Sequence, residues 1–412
     1  ISAEVDFFLV AAGGPRYELR KDLHAMKDTV VIGMIGAGRA TELHMQALGY
    51  VRNVDIVKKT IMATHSESAL KGQEKYGFEQ IADDYGQIIN DPEIDVVDIC
   101  APPYTHADYV IRALESGKYV ICEKPLTGYF GQAGDVAPIG TSVSKCRMYE
   151  RICDSLETLA DVVKKHPGKF MYAENFIYAP SVQKAAEIIR KKGSKILCAK
   201  GEESLKGSSS KVAGEWDKTG GGTFTRTGSH PLSAILWLKT IEAQTAGKDI
   251  YVQSLIADMA QITPSLNEYE HRHIAARPND VEDFGSVILT FSDGSKGIII
   301  ATDTLLGGSK NYVELYCNDA TIYCRLTMND ALSTYFLDED HLDDVYISEM
   351  LPSKTGWNNP FLVDEIMRGY VNEMQDFIDC IVYKREPLSN FQLAYDTAKI
   401  TYAAYKSAET GE

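Results

Sequence analysis

The sequence predicts an α/β fold: a doubly wound parallel sheet, followed by a second α/β domain with a large, mostly antiparallel open sheet. Three observations carry this prediction. Short apolar runs alternate with amphipathic segments over residues 29–178, a glycine turn follows the first run, and β-rich runs joined by turn signals dominate after residue 281. Strands separated by helices are typical of parallel sheets, whereas strands joined by tight turns are antiparallel.

The first domain is predicted over residues 29–178. Its strands are the apolar runs 29–35, 59–63, 95–101, 118–122 and 170–173, and its helices run from the glycine turn to residue 48, over 107–116 and near 156–166. Residues 128–150 are rich in glycine and other turn formers, which predicts an inserted surface loop or lid. Residues 1–28 form an N-terminal extension with no assigned role.

The second domain is predicted over residues 179–390 as a substrate and oligomerisation domain. Runs 281–290 and 297–302 flank the turn signal Ser292-Asp293-Gly294-Ser295, and runs 312–317 and 321–325 flank Asn318-Asp319. Residues 391–412 are predicted to be a C-terminal segment whose helix, 391–405, packs back on a core. One face of such an open sheet needs covering, and a second subunit would cover it.

Composition limits the possible functions. A chain of 412 residues is long enough for two cores, and 44% apolar and 24% charged residues are ordinary for a soluble protein. A formal net charge of −16 argues against nucleic acid and anionic membranes as partners. Eight scattered cysteines without a Cys-x-x-Cys pair favour a reduced, cytoplasmic protein and no metal site, and His271-Arg272-His273 has no third ligand nearby.

The glycine turn predicts dinucleotide binding. It directly follows a strand and opens a helix, so one glycine permits the tight turn and the next lets a pyrophosphate approach the helix N-terminus. An ordinary strand-to-helix turn is the alternative, and Thr41 occupies the third glycine position. The predicted cofactor contacts here are Gly36, Ala37, Gly38, Arg39 and Ala40.

The end of the second strand bears on the choice of dinucleotide. Thr64, His65 and Ser66 stand where a carboxylate would bind the adenosine ribose, and with Lys71 they could accommodate a 2′-phosphate. This pattern favours NADP but leaves NAD open, because Glu67 could still reach the ribose.

Two further strand ends complete the predicted cofactor site. Ala101 and Pro102 keep the backbone clear beside a nicotinamide, with His106 nearby; a helix cap with a surface His106 is the alternative. Glu123-Lys124-Pro125 places a charged pair and a proline at a strand's carboxyl end, where cofactor and substrate meet in such sheets. Lys124 could therefore touch both a nucleotide and a hydroxyl being oxidised.

The second catalytic signal is Gly220-Gly221-Gly222, which leads through Arg226 to His230. Consecutive glycines let a loop pass close to a ligand, and a histidine at the start of the next helix suits a general base. A helix-capping histidine is the alternative. Trp357-Asn358-Asn359 is interpreted either as a sugar-stacking segment or, in preference, as a surface loop.

Together these segments resemble the glucose–fructose oxidoreductase and inositol dehydrogenase family (Gfo/Idh/MocA). The likeness rests on residues 122–125 and 220–230, on Asn175 to Pro180 in the place of that family's Asn-x-Arg-Phe-x-Pro stretch, and on residues 281–294. It implies a Rossmann domain, a C-terminal domain with an open sheet, a nicotinamide cofactor, and assembly through that sheet as dimers or tetramers. By position, Lys124 would orient the substrate hydroxyl, His230 would take its proton, and Asn175 and Tyr178 would bind substrate.

Three residues depart from the family pattern. Thr41 replaces a glycine, Ile177 stands where many members have arginine, and Arg226 replaces the aspartate four residues before the histidine. An arginine cannot act as a base. We expect Arg226 to bind substrate, as a partner for a carboxylate, sulfonate or phosphate, or to act on Lys124 or His230 through like-charge repulsion.

The resemblance and these departures leave three functional hypotheses. The first is an NAD- or NADP-dependent dehydrogenase acting on a secondary hydroxyl of a sugar, glycoside or inositol. The second is a redox glycosidase that uses transient oxidation at C3 and recycles its cofactor. The third is a cofactor-bound, non-catalytic sensor on the same fold.

Overall fold

The computed structural model describes residues 28–210, 212–327, 334–336, 339, 353–358 and 364–411. Its first sheet is parallel throughout, with the strand order β3-β2-β1-β4-β5-β6. The central strands are valine- and isoleucine-rich and buried on both faces, because helices cover both sides of the sheet. The strands are β1 (Thr29–Ile35), β2 (Asp55–Met62), β3 (Gln80–Ile81), β4 (Val96–Ile99), β5 (Tyr119–Glu123) and β6 (Phe170–Ala173).

Six helices lie between or beside these strands. They are α1 (Arg39–Leu48), α2 (Ser66–Tyr76), α3 (Tyr85–Ile89), α4 (His106–Glu115), α5 (Ile139–Ser142) and α6 (Lys145–Val163). Short 3-10 helices, Pro103–Thr105 and Asn175–Tyr178, follow β4 and β6. The carboxyl ends of β1, β4, β5 and β6 therefore open onto one edge of the sheet, as in other doubly wound folds.

The second sheet has the order β12-β11-β7-β10-β9-β8. Its neighbouring strands are antiparallel except β7 and β10, which are parallel. Buried and exposed residues alternate along β9, β10 and β11, which indicates one covered and one open face. The strands are β7 (Ile196–Ser204), β8 (Val252–Ala260), β9 (Phe284–Phe291), β10 (Lys296–Thr302), β11 (Lys310–Cys317) and β12 (Thr321–Arg325).

The remaining elements cover the second sheet and join the two domains. The helices are α7 (Pro180–Lys192), α8 (Trp216–Thr219), α9 (Ser229–Ala246), α10 (Asp364–Met367), α11 (Tyr370–Tyr383) and α12 (Phe391–Thr410), and a small ribbon pairs β13 (Thr334–Phe336) with β14 (Gly356–Asn358). A π-helical turn, Phe224–Gly228, leads into α9, and 3-10 turns span Thr263–Ser265 and Glu270–His273. Helix α11 packs on α1 and β1 of the first domain. Helix α12 contacts α6 and β6 of the first domain as well as α9 and β8 of the second, so it bridges the two domains.

The predicted fold class is confirmed, and three strands (β1, β6 and β12) begin and end where the sequence predicts. Residues 128–150, in contrast, are not a surface loop throughout. They contain α5 and the start of α6, and Tyr129 and Ile139 are only 3% and 6% exposed. The Tyr129 amide donates to the hydroxyl of Tyr402 (2.6 Å), and its carbonyl accepts from the indole of Trp216 (3.1 Å). The many glycines predict a loop, but these buried aromatic contacts fix the segment in place.

Trp357 is 77% exposed on β14, while Asn359 lies outside the described residues. None of the helices in the described ranges is both long and apolar enough to span a bilayer.

Candidate active site

The glycine turn after β1 fits a phosphate-bearing ligand. Gly36 has φ +115°, and a Cβ there would lie 2.3 Å from the Cys100 carbonyl oxygen, so the chain requires glycine. A Cβ on Gly38 would meet nothing within 4 Å, and no side chain caps the N-terminus of α1. The first amides of α1, which begins with Arg39 and Ala40, therefore face open space, as an anion site at a helix N-terminus requires.

The segment after β2 is exposed. Thr64, His65 and Ser66 face solvent where β2 gives way to α2. Glu67 is paired with Lys71 at 2.7 Å, and both side chains are more than 70% exposed. No carboxylate stands immediately at the end of the strand.

The buried imidazole of His106 joins the two loops that follow β4 and β5. Its Nδ1 lies 2.7 Å from the Pro125 carbonyl and its Nε2 lies 2.9 Å from the Ala101 carbonyl. His106 is 1% exposed, so the alternative of a surface histidine is wrong. Burial lowers the pKa of His106, and its two carbonyl neighbours only partly oppose this shift. Its position holds Ala101 and Pro102 against the Lys124 loop.

Behind Lys124 lies a buried chain of ionisable groups that the sequence reasoning missed. His44 Nδ1 is 2.9 Å from the carboxylate of Asp98, and its Nε2 is 3.3 Å from Glu123. Burial alone would lower the pKa of His44, but the negative charge of Asp98 raises it well above its usual value. Burial alone would raise the pKa of Glu123. The hydrogen bond and charge of His44, followed by the charge of Lys124, outweigh burial, so the pKa of Glu123 lies below its usual value. Glu123 is thus held as a carboxylate that accepts from the Lys124 amide at 2.9 Å.

His44, Asp98 and Cys100 place one ligand atom each within 4.8 Å of one another. The histidine and the aspartate already form a buried ion pair, and the thiol lies 3.4 Å from the imidazole. Burial raises the pKa of Cys100 to about 12, so the group stays protonated and is a poor ligand.

Lys124 connects the two domains. Its Nζ donates to the backbone carbonyl of Arg226, in the π-helical turn before α9. The glycine loop before that turn is held by Glu282, whose carboxylate accepts from the amides of Gly222 (2.9 Å) and Phe224 (2.8 Å). The loop's approach is tight, because a Cβ on Gly222 would lie 1.9 Å from the Glu282 carbonyl oxygen.

His230 is the second residue of α9 and is buried among acidic and aromatic side chains. Its Nδ1 lies 2.7 Å from Glu174, and its ring stacks on Phe176 with centroids 4.8 Å apart. A carboxylate on Nδ1 holds the N–H at that nitrogen and leaves the Nε2 lone pair free. Glu203 approaches from β7, with its Oε2 3.9 Å from Nε2. Neither glutamate was predicted from the sequence.

The guanidinium of Arg226 is not directed at Lys124. It forms an ion pair with Asp303, whose other oxygen accepts from Thr223 at 3.1 Å. Burial raises the pKa of Asp303, and the adjoining positive charge of Arg226 opposes that rise. The side chain lines a cavity of about 170 Å³, and its buried Nε has no hydrogen-bond partner. The cavity is also lined by Ser208, Ser209, Ser210 and Arg277.

Asn175 and Tyr178 make internal contacts. The Asn175 amide donates to the Arg368 carbonyl at 2.9 Å, and the Tyr178 hydroxyl donates to Asp376 (2.7 Å) while accepting from the Ser389 amide (3.0 Å). Both side chains are at most 3% exposed. Lys124 and His230 thus lie near the carboxyl ends of β5 and β6, whereas the side chains of Asn175 and Tyr178 are buried in contacts with the segment 368–389.

Comparisons with known proteins identify both halves of the chain. The model of an oxidoreductase family with an NAD-binding Rossmann fold (GFO_IDH_MocA) matches residues 30–149, and the GFO/IDH/MocA C-terminal domain matches residues 201–323. Levoglucosan dehydrogenase of Pseudarthrobacter phenanthrenivorans is 24% identical over 92% of this chain and 95% of that protein. Inositol 2-dehydrogenase of Salmonella typhimurium is 38% identical over 101 residues, which are 24% of this chain and 29% of that protein. GenD2 from gentamicin A biosynthesis, solved in complex with NAD, has the same fold, with a TM-score of 0.74, 19% identity, and coverage of 94% of this chain and 96% of that one.

Proposed function

Because the chain belongs to the Gfo/Idh/MocA oxidoreductase family, we propose that it is a nicotinamide-dependent dehydrogenase of a secondary hydroxyl on a sugar, glycoside or inositol. The observation that carries this proposal is the position of Lys124 and His230. Lys124 follows β5 at the carboxyl edge of the first sheet, and its Nζ donates to the carbonyl of Arg226 in the turn before α9. His230, in the first turn of α9, lies 2.7 Å from Glu174 at the end of β6. The names of the relatives, a levoglucosan dehydrogenase and an inositol 2-dehydrogenase, support a polyol or sugar substrate.

The residues around the glycine turn fit a dinucleotide. Gly36 and Gly38 leave the backbone accessible, and the uncapped N-terminus of α1 suits a pyrophosphate. Ala101, Pro102 and Glu123 line the same edge and complete the proposed cofactor contacts. When bound, the nicotinamide supplies the hydride acceptor.

The chain's own residues handle the hydroxyl. Lys124 hydrogen bonds the substrate oxygen and stabilises negative charge as it develops there. His230 Nε2 accepts the hydroxyl proton, and Glu174 on Nδ1 holds the ring in the required tautomer and stabilises the imidazolium that forms. Arg226 contributes its carbonyl to the position of Lys124, while its guanidinium is paired with Asp303. An anionic group on the substrate would therefore have to compete with Asp303 for Arg226.

A panel of levoglucosan, inositols, hexoses and aryl glycosides with NAD and NADP tests the proposal by the change in nicotinamide absorbance. We expect turnover with at least one polyol, and about a 100-fold or greater loss of kcat/KM in Lys124→Ala. Lys165→Ala, at an exposed lysine after α6, is the matched control and should keep wild-type activity. Release of aglycone without net cofactor reduction would instead identify a redox glycosidase. Dinucleotide binding without turnover on any panel member would identify a sensor and overturn the proposal.

The preferred dinucleotide depends on the exposed segment after β2. Ser66, His65 and Lys71 offer hydrogen bonds and charge to a 2′-phosphate, whereas Glu67 offers a carboxylate to a ribose hydroxyl. Titrating wild type and Lys71→Ala with both dinucleotides separates these cases. Weaker NADP binding with unchanged NAD binding in the variant would mark a 2′-phosphate site.

The open face of the second sheet supports a homo-oligomer. Ile256, Ile288 and Ile298 are register neighbours on β8, β9 and β10, and the first two are 60% and 38% exposed. A row of isoleucines across a sheet is typical of a face that another subunit covers. All eight cysteines lie among the described residues and are unpaired, which supports a reducing, cytoplasmic setting.

A further inference from the structure

Glu203 is a buried carboxyl group beside the proposed base, and its role is unassigned. It lies on β7 opposite Ala301 and Asn311 and is 7% exposed. Its Oε2 is buried without a hydrogen-bond partner and lies 3.9 Å from His230 Nε2. Leaving a carboxyl oxygen buried and unpaired costs free energy, which indicates an atom kept for a ligand.

The pKa of Glu203 is affected by burial and by the charges of four neighbouring groups. Burial raises the pKa of Glu203, and the positive charge that His230 carries when protonated, followed by those of Lys124 and Arg368, opposes the rise. The negative charge of Glu174, on the far side of the imidazole, adds to it. His230 lies on α9, Lys124 and Glu174 follow β5 and β6, and Arg368 lies in the turn before α11. Glu203 therefore lies where these four segments meet.

Glu203 provides a carboxylate near His230 in a chain where Arg226 replaces the family's aspartate. In the family pattern an aspartate precedes the catalytic histidine by four residues, and Arg226 occupies that position here. The guanidinium of Arg226 is paired with Asp303, so residue 226 provides no carboxylate to His230. Glu203 brings a carboxylate to His230 from a different strand.

We propose that Glu203 is a catalytic residue that binds the reacting hydroxyl together with His230 and so replaces the acid missing at Arg226. This inference rests on the proposed dehydrogenase function. Oxygen hydrogen bonds are about 2.8 Å long, so one hydroxyl oxygen can reach both Nε2 and Oε2 across the 3.9 Å gap. The hydroxyl has one hydrogen, so it donates to one acceptor at a time: to Oε2 when the substrate binds and to Nε2 when the proton is transferred.

The step balances as an alcohol oxidation. The O–H bond breaks and its proton forms a new N–H bond on His230 Nε2, while the C–H bond breaks and its hydride leaves for the oxidised dinucleotide. The electron pair of the O–H bond becomes the second bond of the product carbonyl. The protonated imidazole then lies between two carboxylates, Glu174 on Nδ1 and Glu203 facing Nε2, and both stabilise its charge.

The pH profile of kcat/KM in Glu203→Gln, Glu203→Asp and Glu202→Gln tests this role. Glu202 is the neighbouring residue of β7, equally buried at 7%, but it pairs with Lys310 on the opposite face. An amide at position 203 no longer stabilises the protonated imidazole, so the acid limb should move to lower pH by about one unit. We expect kcat to fall about 10- to 100-fold with little change in KM. Thermal unfolding and dinucleotide binding establish that each variant is folded.

The controls separate failure of this inference from failure of the proposed function. Glu203→Asp keeps the charge, so its acid limb should remain near that of wild type even if kcat falls. Glu202→Gln should match wild type in both kcat and profile. An active wild type with a Glu203→Gln profile equal to that of Glu202→Gln would overturn only the role of Glu203. A wild type that is inactive on every polyol would overturn the proposed function, and this inference with it.

Discussion

At the scale of single residues, the two glycines of the cofactor turn are constrained by different surroundings. Gly36→Ala places a Cβ 2.3 Å from a backbone oxygen at a φ of +115°, so the loop must move. We expect destabilisation of about 2 kcal/mol or more and loss of dinucleotide binding. Thermal unfolding and fluorescence titration with reduced dinucleotide measure the two effects.

Gly38→Ala is the matched control at the same turn. Its Cβ would enter open space, so the fold should be nearly as stable as wild type while the methyl group obstructs the pyrophosphate. We expect dinucleotide affinity to fall about tenfold or more. Equal destabilisation in both variants, or unchanged affinity in Gly38→Ala, would contradict this account of the turn.

In the proposed mechanism, Glu174 is a positioning residue for the imidazole of His230. Its carboxylate accepts from Nδ1 at 2.7 Å, and a glutamine there could favour the wrong tautomer. We expect Glu174→Gln to lower kcat about 100-fold or more with KM changed much less. Glu150→Gln, on the exposed face of α6, should leave both constants unchanged. A fall confined to KM would assign Glu174 to substrate binding instead.

Lys124 and His230 each stand in a recognisable local motif, so the sequence alone marks them as candidates, and their catalytic roles stay predictions. Glu174 and Glu203 could not be predicted, since nothing in the adjoining sequence links either one to a histidine in another segment. The same limit applies to His44 and Asp98, whose ion pair joins a residue of α1 to a residue of β4 that lies 54 positions further along the chain. Buried charge pairing is a property of the folded core, and sequence periodicity does not specify it.

At the scale of elements, Glu282 holds the glycine loop before α9, and the stability of the fold varies with the protonation state of this group. This carboxyl group accepts hydrogen bonds from the amides of Gly222 and Phe224 and from the hydroxyl of Tyr405. Burial nevertheless raises the pKa of Glu282 from 4.5 to about 7. The folded protein therefore holds this proton more tightly than the unfolded chain does.

The sign of the pH dependence follows from that difference. The stability contribution is largest below about pH 4.5 and declines as pH rises to about 7, by about 3 kcal/mol in all. Glu282→Gln cannot ionise, so this decline should be absent from its urea unfolding curves. Glu79→Gln, at an exposed site, should keep the wild-type slope. Parallel slopes in wild type and Glu282→Gln would show that Glu282 does not titrate in this range.

Strands with an apolar run or a clear turn signal beside them were predicted well, whereas β7 was missed and the start of α6 was misplaced. β1 and β6 are runs of buried residues, and both match their predicted bounds. β7 was missed because Lys200, Glu202 and Glu203 interrupt its apolar residues: one face of the strand is open and the other lines the site. Helix α6 begins at Lys145, inside the segment whose glycines predict a loop.

At the scale of the whole molecule, the proposed active site depends on the joining of the two domains. Lys124 of the first domain donates to the carbonyl of Arg226 in the second, and Glu174 at the domain boundary pairs with His230. Helix α12 contacts both domains, since it packs against α6 of the first and against α9 and β8 of the second. The sequence predicted that the last helix packs back on a core, but it did not indicate that this core joins both domains.

The last prediction concerns assembly through the open sheet. Ile288 lies in the middle of the isoleucine row, between Ile256 and Ile298 in register. A lysine at this exposed position is tolerated by the folded subunit but costs several kcal/mol when an opposing subunit buries its charge. We therefore expect Ile288→Lys to reduce the molar mass from light scattering to that of a single chain, 45.6 kDa by composition, with a melting temperature consistent with a folded subunit. Leu70→Lys, at a site 49% exposed on α2, should keep the wild-type mass. A monomeric wild type, or an unchanged mass in Ile288→Lys, would contradict assembly through this face.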